Sequence, residues 1–130
     1  MSRISVHKIG GTSMAAVDTV VDDIVLAGRS GEALYNRVFV VSAYAGMTDL
    51  LLEQKKTGEP GVYALYAGAD SDGPWDEALT RTGQAMRAKN RDVLQHPEDL
   101  AQADRFVEER IEGARSCLVD LQRLCSFGHF

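Results

Sequence analysis

Two short segments of this sequence combine residue types that suit phosphate binding. In the first, an apolar run ends in Lys8, Gly10 and Gly11, and the hydroxyl residues Thr12 and Ser13 follow. Glycine lets a ligand approach backbone N–H groups without an intervening Cβ, and lysine adds a full positive charge. A hydroxyl residue can cap the helix that follows, and the N-terminus of a helix favours an anion. The segment therefore predicts a phosphate-binding turn, with an ordinary glycine turn as the alternative.

The second segment follows about thirty residues later and has a similar composition. Another apolar run ends in Ser42 and Ala43, and Gly46 and Thr48 precede the next helical pattern. Thr48 is a candidate cap for that helix, and an acid such as Asp49 suits its first turn. Neither segment has the glycine and lysine order of a Walker A loop or of a dinucleotide-binding turn.

The elements around these segments predict a βαβ unit. Residues 4–9 form a strand pattern, residues 15–27 carry apolar positions at helical spacing, and Gly28 and Gly31 close that helix. Residues 38–41 are apolar on both faces, which is typical of an interior parallel strand covered on both sides. The two segments would then lie at the carboxyl ends of parallel strands, where open α/β sheets bind ligands.

The rest of the chain predicts helices separated by one irregular segment. Residues 48–54 begin a helix with residues 50–52 on its core side, and residues 55–75 contain turn-forming clusters that favour a surface excursion over a lid. Residues 76–94 and 97–125 form two long helical patterns. The second has an apolar face and a solvated charged side. The face comprises Leu100, Ala103, Phe106 or Val107, Ile111, Ala114, Leu118 and Leu121, and the charges include Glu108, Glu109, Arg110 and Arg115. The positive residues of the helix at 76–94 are interpreted as a solvated face and not as an anion site: Arg81, Arg87, Lys89 and Arg91.

Composition excludes several classes of function. With 130 residues and 45% hydrophobic residues, the chain suits one soluble domain, and its net charge of −5 argues against nucleic-acid binding. No apolar run is long enough to span a bilayer, and a signal peptide is not evident, so we expect a cytoplasmic protein. Cys117 and Cys125 stand two helical turns apart and are expected to stay reduced. The three histidines are scattered, so no metal site is predicted.

The two segments resemble the N-terminal signatures of aspartokinases, which belong to the amino-acid kinase family. The first signature is Lys-Ile-Gly-Gly-Thr-Ser at residues 8–13, and the second is Val-Ser-Ala-x-x-Gly-x-Thr-Asp at residues 41–49. Ile9, Met14 and the run at residues 55–63 are similar to the branch tied to ectoine synthesis. The resemblance implies an α/β fold, a three-layer αβα sandwich with a mainly parallel sheet. Residues 1–130 would form the N-terminal portion of its catalytic domain, without regulatory domains.

The resemblance also implies an activity, which is phosphorylation of the side-chain carboxylate of L-aspartate by ATP with Mg²⁺. Lys8 would be catalytic, binding the phosphates and stabilising negative charge that develops during transfer. The remaining implied ATP-binding residues are Ile9, Gly10, Gly11, Thr12 and Ser13, and the implied substrate-binding residues are Ser42, Ala43, Gly46 and Thr48. For Asp49 the resemblance implies no chemical role.

Other features implied by the resemblance are missing from this sequence. Aspartokinases carry a Gly-Glu pair and an Arg-Gly-Gly-Ser-Asp stretch farther along. Residues 126–130 are superficially similar to the first of these but have histidine where the acid belongs. We therefore expect an N-terminal fragment of an aspartokinase, inactive alone and forming a homo-oligomer through the kinase domain. The alternatives are another kinase of the family, of glutamate or carbamate type, and a non-catalytic binding or assembly module.

Overall fold

Residues 3–68 and 72–127 are described by the computed structural model of the chain. They form two units, the first ending at Met47 and the second beginning at Thr48. The strands are β1 (Ser5–Ile9) and β2 (Arg37–Val41), and the α-helices are α1 (Val17–Val20), α2 (Met47–Leu51), α3 (Val62–Ala67), α4 (Gly73–Val93) and α5 (Pro97–Ser126). Short 3₁₀ turns cover Ser13–Ala15 and Gly31–Leu34, and a π-helical segment, Val21–Leu26, continues α1.

The first unit is built on a parallel pair of strands. Lys8 of β1 is in register with Val40 of β2, and Ile9 is in register with Val41. Residues 13–26 form the helical connection between the strands. The predicted βαβ unit and the α/β class are therefore confirmed, with a sheet of two strands in the described residues.

The core of the first unit lies on one face of this sheet. Ile9, Met14 and Val20 are buried together there, and Phe39 packs against them. The other face is open, because Val38 and Val40 on β2 remain 46% and 52% exposed. The prediction that residues 38–41 are covered on both faces is therefore wrong for this structure, since no described element of the first unit covers the second face.

The helix predicted over residues 15–27 is divided into three kinds of turn. It starts as a 3₁₀ turn, becomes α-helical at Val17 and ends as a π-helix at Leu26. The backbone then turns sharply, with a left-handed φ of 44° at Ala27 and positive φ angles at Gly28 and Gly31. The Arg37 guanidinium donates hydrogen bonds to the carbonyl oxygens of residues 24, 25 and 34. These bonds satisfy carbonyls that the end of a helix leaves without a partner.

The second unit begins within α2, where the sequence prediction was partly wrong. Residues 50–52 were expected on the core side, but all three leucines are at least 36% exposed. The segment that follows was expected to be irregular and contains α3, whose Val62 is buried. Short helices of this kind depend on tertiary packing, because isolated turns are unstable in water. Residues 69–71 of the expected irregular segment lie outside the described residues.

The packing of α3, α4 and α5 forms the core of the second unit. Val62, Trp75, Ala78 and Leu79 are buried together, and the half-buried residues packed against them are Leu65, Tyr66, Ile111, Leu118 and Val119. Tyr66 contacts Trp75 edge to face, with ring centroids 5.5 Å apart. Both long helices were predicted within three residues of their observed bounds, and each starts with a proline in its first turn.

The inward face of α5 differs in part from the predicted apolar face. Val107, and not Phe106, turns towards α4, while Ala114 and Leu121 are exposed. Arg115 was expected in solvent but is half-buried, and it forms an ion pair with Asp76 of α4. The charged residues of α4 are also not all solvated, because Arg87 forms ion pairs with α5. Its Nε lies 3.8 Å from an Asp104 oxygen, and its Nη1 lies 3.2 Å from a Glu108 oxygen.

Two further sequence expectations concern cysteines and membrane spans. Cys117 and Cys125 are free thiols on the exposed surface of α5, as predicted. In residues 3–68 and 72–127, no helix is both long enough and apolar enough to cross a membrane.

Candidate functional site

The carboxyl ends of β1 and β2 lie side by side in the first unit. The Ser42 amide donates a hydrogen bond to the Ile9 carbonyl, with a nitrogen to oxygen distance of 3.2 Å. A Cβ placed on Gly11 would be 3.9 Å from the Ser42 side chain, so the two turns are in contact range. The structure therefore brings the first predicted segment, residues 8–13, next to the start of the second at Ser42 and Ala43.

The turn after β1 exposes consecutive backbone amides without backbone acceptors. The Ser13 and Met14 amides donate to the Gly10 carbonyl, at 3.1 and 3.3 Å. Among the described residues, no backbone carbonyl accepts from the amides of Gly10, Gly11 or Thr12. All three residues are exposed, and the position of a Cβ on Gly10 is open space. Successive free N–H groups in a turn form a concavity that binds anions.

Lys8 stands two residues before Gly10, near the end of β1. Its side chain is exposed and lies on the face of β1 opposite to buried Ile9, because side chains alternate along a strand. Within the described part of the chain, it forms neither an ion pair nor a hydrogen bond. A lysine without a protein carboxylate partner is available to pair with a bound anion.

Ile9 differs from the other residues of the first signature. Its side chain is 5% exposed and packs against Met14 and Val20 in the core. Only its backbone lies at the turn, so any contribution of Ile9 to a ligand site comes from its backbone and from its support of the neighbouring residues.

The hydroxyl groups of Thr12 and Ser13 do not cap the helical segment that follows them. Thr12 precedes the 3₁₀ turn Ser13–Ala15, but its side chain forms no capping hydrogen bond. Its φ of −63° and ψ of −40° are helical, whereas a capping residue is normally extended. The capping prediction is therefore wrong for this turn, and both residues are exposed.

The second predicted segment continues through a turn that needs glycine. Gly46 has a φ of +84°, a left-handed conformation that glycine adopts without steric cost. The Ala45 amide donates to the Met14 carbonyl at 3.4 Å, which connects this turn to the helical segment after β1. Gly46 therefore allows the backbone of this loop to turn towards α2.

Thr48 lies inside α2 and does not cap it. The helix begins at Met47, and the Thr48 carbonyl accepts a hydrogen bond from the Leu52 amide at 2.9 Å. The capping prediction for Thr48 is therefore wrong, while Asp49 does lie in the first turn as expected. Thr48 is exposed and is the first residue of the second unit.

The sequence interpretation missed Tyr44, which lies between Ser42 and Gly46. Its ring packs against the core formed by Ile9, Met14 and Val20, and burial raises the pKa of its phenol. It therefore anchors the second turn on the first unit. The signal in the sequence is an aromatic residue within an otherwise small and polar turn.

The described residues contain no group of three His, Cys, Asp or Glu side chains that could hold a metal ion. Residues 126–130, which are superficially similar to the Gly-Glu region of aspartokinases, lie partly outside the described residues, because the structure describes this end of the chain only as far as Phe127.

Comparison with known proteins addresses the resemblance directly. The chain is 52% identical over 126 residues to the aspartate kinase Ask_Ect of Stutzerimonas stutzeri (strain A1501). This match covers 97% of the chain and 26% of that relative, so the chain spans about a quarter of the curated relative's length. No protein-family model matches the chain, and no solved structure matches it. The resemblance of this sequence to the aspartokinases is therefore confirmed over nearly its whole length.

Proposed function

We propose that this chain supplies the phosphate-binding part of the active site of an aspartate kinase. That enzyme would transfer the γ-phosphoryl group of ATP to the side-chain carboxylate of L-aspartate. The observation that carries the proposal is the turn after β1: among the described residues, the amides of Gly10, Gly11 and Thr12 have no backbone acceptor, and the exposed Lys8 side chain just before them has no ion pair. The similarity to an aspartate kinase supports the same assignment.

The residues of this turn fit the triphosphate of ATP, which would supply the transferred group. The amides of Gly10, Gly11 and Thr12 would donate hydrogen bonds to phosphate oxygens, and the Thr12 and Ser13 hydroxyls would add further donors. Lys8 would neutralise charge on the phosphates. Mg²⁺ would be held chiefly by phosphate oxygens and water, as is usual for this ion.

Aspartate would be positioned by the second turn. The exposed Ser42 and Thr48 hydroxyls and the Ala43 amide can donate to a carboxylate or to the γ-phosphate. Gly46 would let the loop approach the ligand closely. Because phosphoryl transfer needs little covalent help, these residues would act by positioning and by stabilising charge.

We further propose the fold, the cellular location and the biosynthetic branch of the complete enzyme. The complete catalytic domain would be the three-layer αβα sandwich of the amino-acid kinases, in the cytoplasm, in the branch tied to ectoine synthesis. Other parts of the site would come from segments outside this sequence, since Arg-Gly-Gly-Ser-Asp does not occur in the chain and residues 126–130 have histidine where the acid of the expected Gly-Glu pair belongs. The 130-residue chain alone would therefore bind phosphate without turnover.

Hydrogen–deuterium exchange of the 130-residue chain tests the phosphate site. We expect Mg-ATP, and inorganic triphosphate as a simpler probe, to slow amide exchange at residues 10–12. The Lys8→Ala variant should lose this protection, whereas Lys55→Ala, which removes another exposed lysine, should keep it. Exchange that is unchanged by both ligands in the wild-type chain would contradict the proposal.

A hydroxylamine trap for acyl phosphate tests the reaction. With Mg-ATP and aspartate, we expect no hydroxamate from the 130-residue chain and clear formation by a protein that joins it to the remaining three quarters of an aspartate kinase. Glutamate in place of aspartate tests one alternative substrate by the same trap, and carbamate tests the other by release of ADP. Hydroxamate formed by the short chain would show that its site is already complete.

A further inference from the structure

Tyr44 connects the two turns of the candidate site. Its ring packs against the core formed by Ile9, Met14 and Val20. Two of these residues, Ile9 and Met14, stand immediately before and immediately after the turn at residues 10–13. The aromatic side chain of the second turn therefore rests on a core to which both ends of the first turn belong.

Two backbone hydrogen bonds, one on each side of Tyr44, reach the same two residues. The Ser42 amide donates to the Ile9 carbonyl at 3.2 Å, and the Ala45 amide donates to the Met14 carbonyl at 3.4 Å. Most N–H to oxygen hydrogen bonds measure about 2.7–3.2 Å, so the bond from Ala45 is long and weak. Its persistence depends on the packing of the neighbouring Tyr44 ring.

Other residues of the second turn contribute little packing. Ser42, Ala43 and Gly46 are exposed, and Gly46 supplies the left-handed bend with its φ of +84°. Tyr44 is half-buried, and because burial raises the pKa of its phenol, the side chain stays uncharged in this core. The position of Ser42 and Ala43, which are proposed to hold aspartate, therefore depends on the Tyr44 ring.

We propose that Tyr44 is a positioning residue that couples the two turns, so that a phosphate ligand on residues 10–12 also orders residues 42–45. This inference rests on the proposed function, which places phosphate on the first turn and aspartate on the second. A ligand that fixes residues 10–12 also restrains Ile9 and Met14 beside them, and the Tyr44 ring carries that restraint to the second turn. Since coupling between two binding sites is reciprocal, aspartate would strengthen phosphate binding by the same factor.

Hydrogen–deuterium exchange of the 130-residue chain, detected by NMR, tests the coupling. With inorganic triphosphate as the probe, we expect exchange to slow about threefold or more at residues 10–12 and also at the Ser42 and Ala45 amides. In Tyr44→Ala, only the protection at residues 10–12 should remain. Protection there without protection of Ser42 and Ala45 in the wild-type chain would overturn the coupling alone, whereas no protection at residues 10–12 would overturn the phosphate site as well.

Phe39→Ala is the matched control for Tyr44→Ala. Phe39 also packs an aromatic ring against the same core, but it lies within β2 and outside the second turn. This control, and Tyr44→Phe, which keeps the ring, should both retain the protection of Ser42 and Ala45. Its loss in Phe39→Ala would show general loosening of the core and would contradict the assignment. Where circular dichroism shows that an alanine variant is unfolded, leucine replaces alanine at both positions.

Aspartate binding to a protein that contains the complete kinase provides a second test. Calorimetric titration measures the Kd of aspartate with and without the Mg²⁺ complex of a non-hydrolysable ATP analogue. We expect the analogue to lower this Kd about fivefold or more in the wild-type protein and less than about twofold in Tyr44→Ala. Simple destabilisation would reduce the fraction of active protein without changing this ratio. The same ratio in both proteins would overturn the role of Tyr44.

Discussion

Lys8 shows how one residue can be assigned from its surroundings. It stands in an apolar strand, yet its side chain is exposed and, in the described residues, has no ion pair. Its removal therefore deletes charge without opening a cavity in the core. This separates its proposed effect on activity from any effect on folding.

We expect Lys8→Ala, in a protein containing the complete kinase, to lower kcat by about 10²–10³-fold, because a positive charge beside the transferred group is lost. The free energy of unfolding should change by less than about 0.5 kcal/mol, as for most exposed substitutions. Steady-state kinetics and urea denaturation measure the two effects. Near-normal turnover would remove Lys8 from the mechanism.

Tyr66 is a residue whose ionisation affects stability. Its hydroxyl donates a hydrogen bond to the Leu118 carbonyl at 2.9 Å, which joins α3 to α5. Burial raises the pKa of the Tyr66 phenol above its usual value of 10.0, and the charges of Cys125 and Asp72 add to the increase. The folded state therefore holds the phenolic proton more tightly than the unfolded state.

From this pKa we predict the direction of the alkaline effect. The contribution of Tyr66 to stability is complete below pH 10 and is lost as the pH rises through its folded pKa, because the unfolded state releases the proton first. In Tyr66→Phe, this part of the decline should be absent. Melting temperatures between pH 8 and 11 measure it, with exposed Tyr63→Phe as the control. The same alkaline slope in both variants would contradict the assignment.

At the scale of elements, Gly61 sets the approach between the end of α2 and the start of α3. Its amide donates to the Leu52 carbonyl at 2.9 Å, and its own carbonyl accepts from Leu65. A Cβ at this position would lie 2.7 Å from the Leu52 oxygen and 2.8 Å from the Asp49 oxygen. Backbone atoms cannot turn aside as a flexible side chain would.

Gly61→Ala should therefore destabilise the second unit by about 1–3 kcal/mol, the usual cost of overpacking. In Gly68→Ala, the added Cβ would meet its nearest atom, the Ala64 oxygen, at 3.5 Å, and we expect little change. Urea denaturation followed by Trp75 fluorescence measures both variants. Equal midpoints for the two would show that the α2–α3 turn adjusts freely.

The two units of the whole molecule have cores of different character. The first buries Ile9, Met14 and Val20 and leaves one face of its sheet exposed, including Val38 and Val40. The second buries a larger set of side chains around Trp75, with α3, α4 and α5 contributing. Since stability depends strongly on buried apolar area, the first unit has the smaller driving force to fold.

We therefore expect the two units to unfold separately in urea. Fluorescence of Trp75, the single tryptophan, reports on the second unit, whereas hydrogen exchange at residues 5–9 and 37–41 reports on the first. The first unit should open at the lower urea concentration. Coincident transitions would instead indicate a single cooperative unit.

Local patterns in the sequence were sufficient for much of this result. Helical periodicity and the prolines at helix starts located α4 and α5, and glycine and hydroxyl residues after apolar runs located both turns. The same patterns missed α3 and misplaced the caps at Thr12 and Thr48. Such details depend on backbone angles at single residues, which residue type constrains only weakly.

The amino-acid sequence by itself determined the α/β class, the parallel strand pair and the resemblance to the aspartokinases, because periodicity, turn chemistry and motif spacing are local properties of the chain. Only the tertiary structure decided that Ile9 is buried, that Arg115 turns towards Asp76 and that, within the described part of the chain, the amides of residues 10–12 donate to no backbone carbonyl. These features depend on contacts between residues far apart in the chain. Which face of a strand is covered, and which carbonyl an amide reaches, is fixed when the elements pack together.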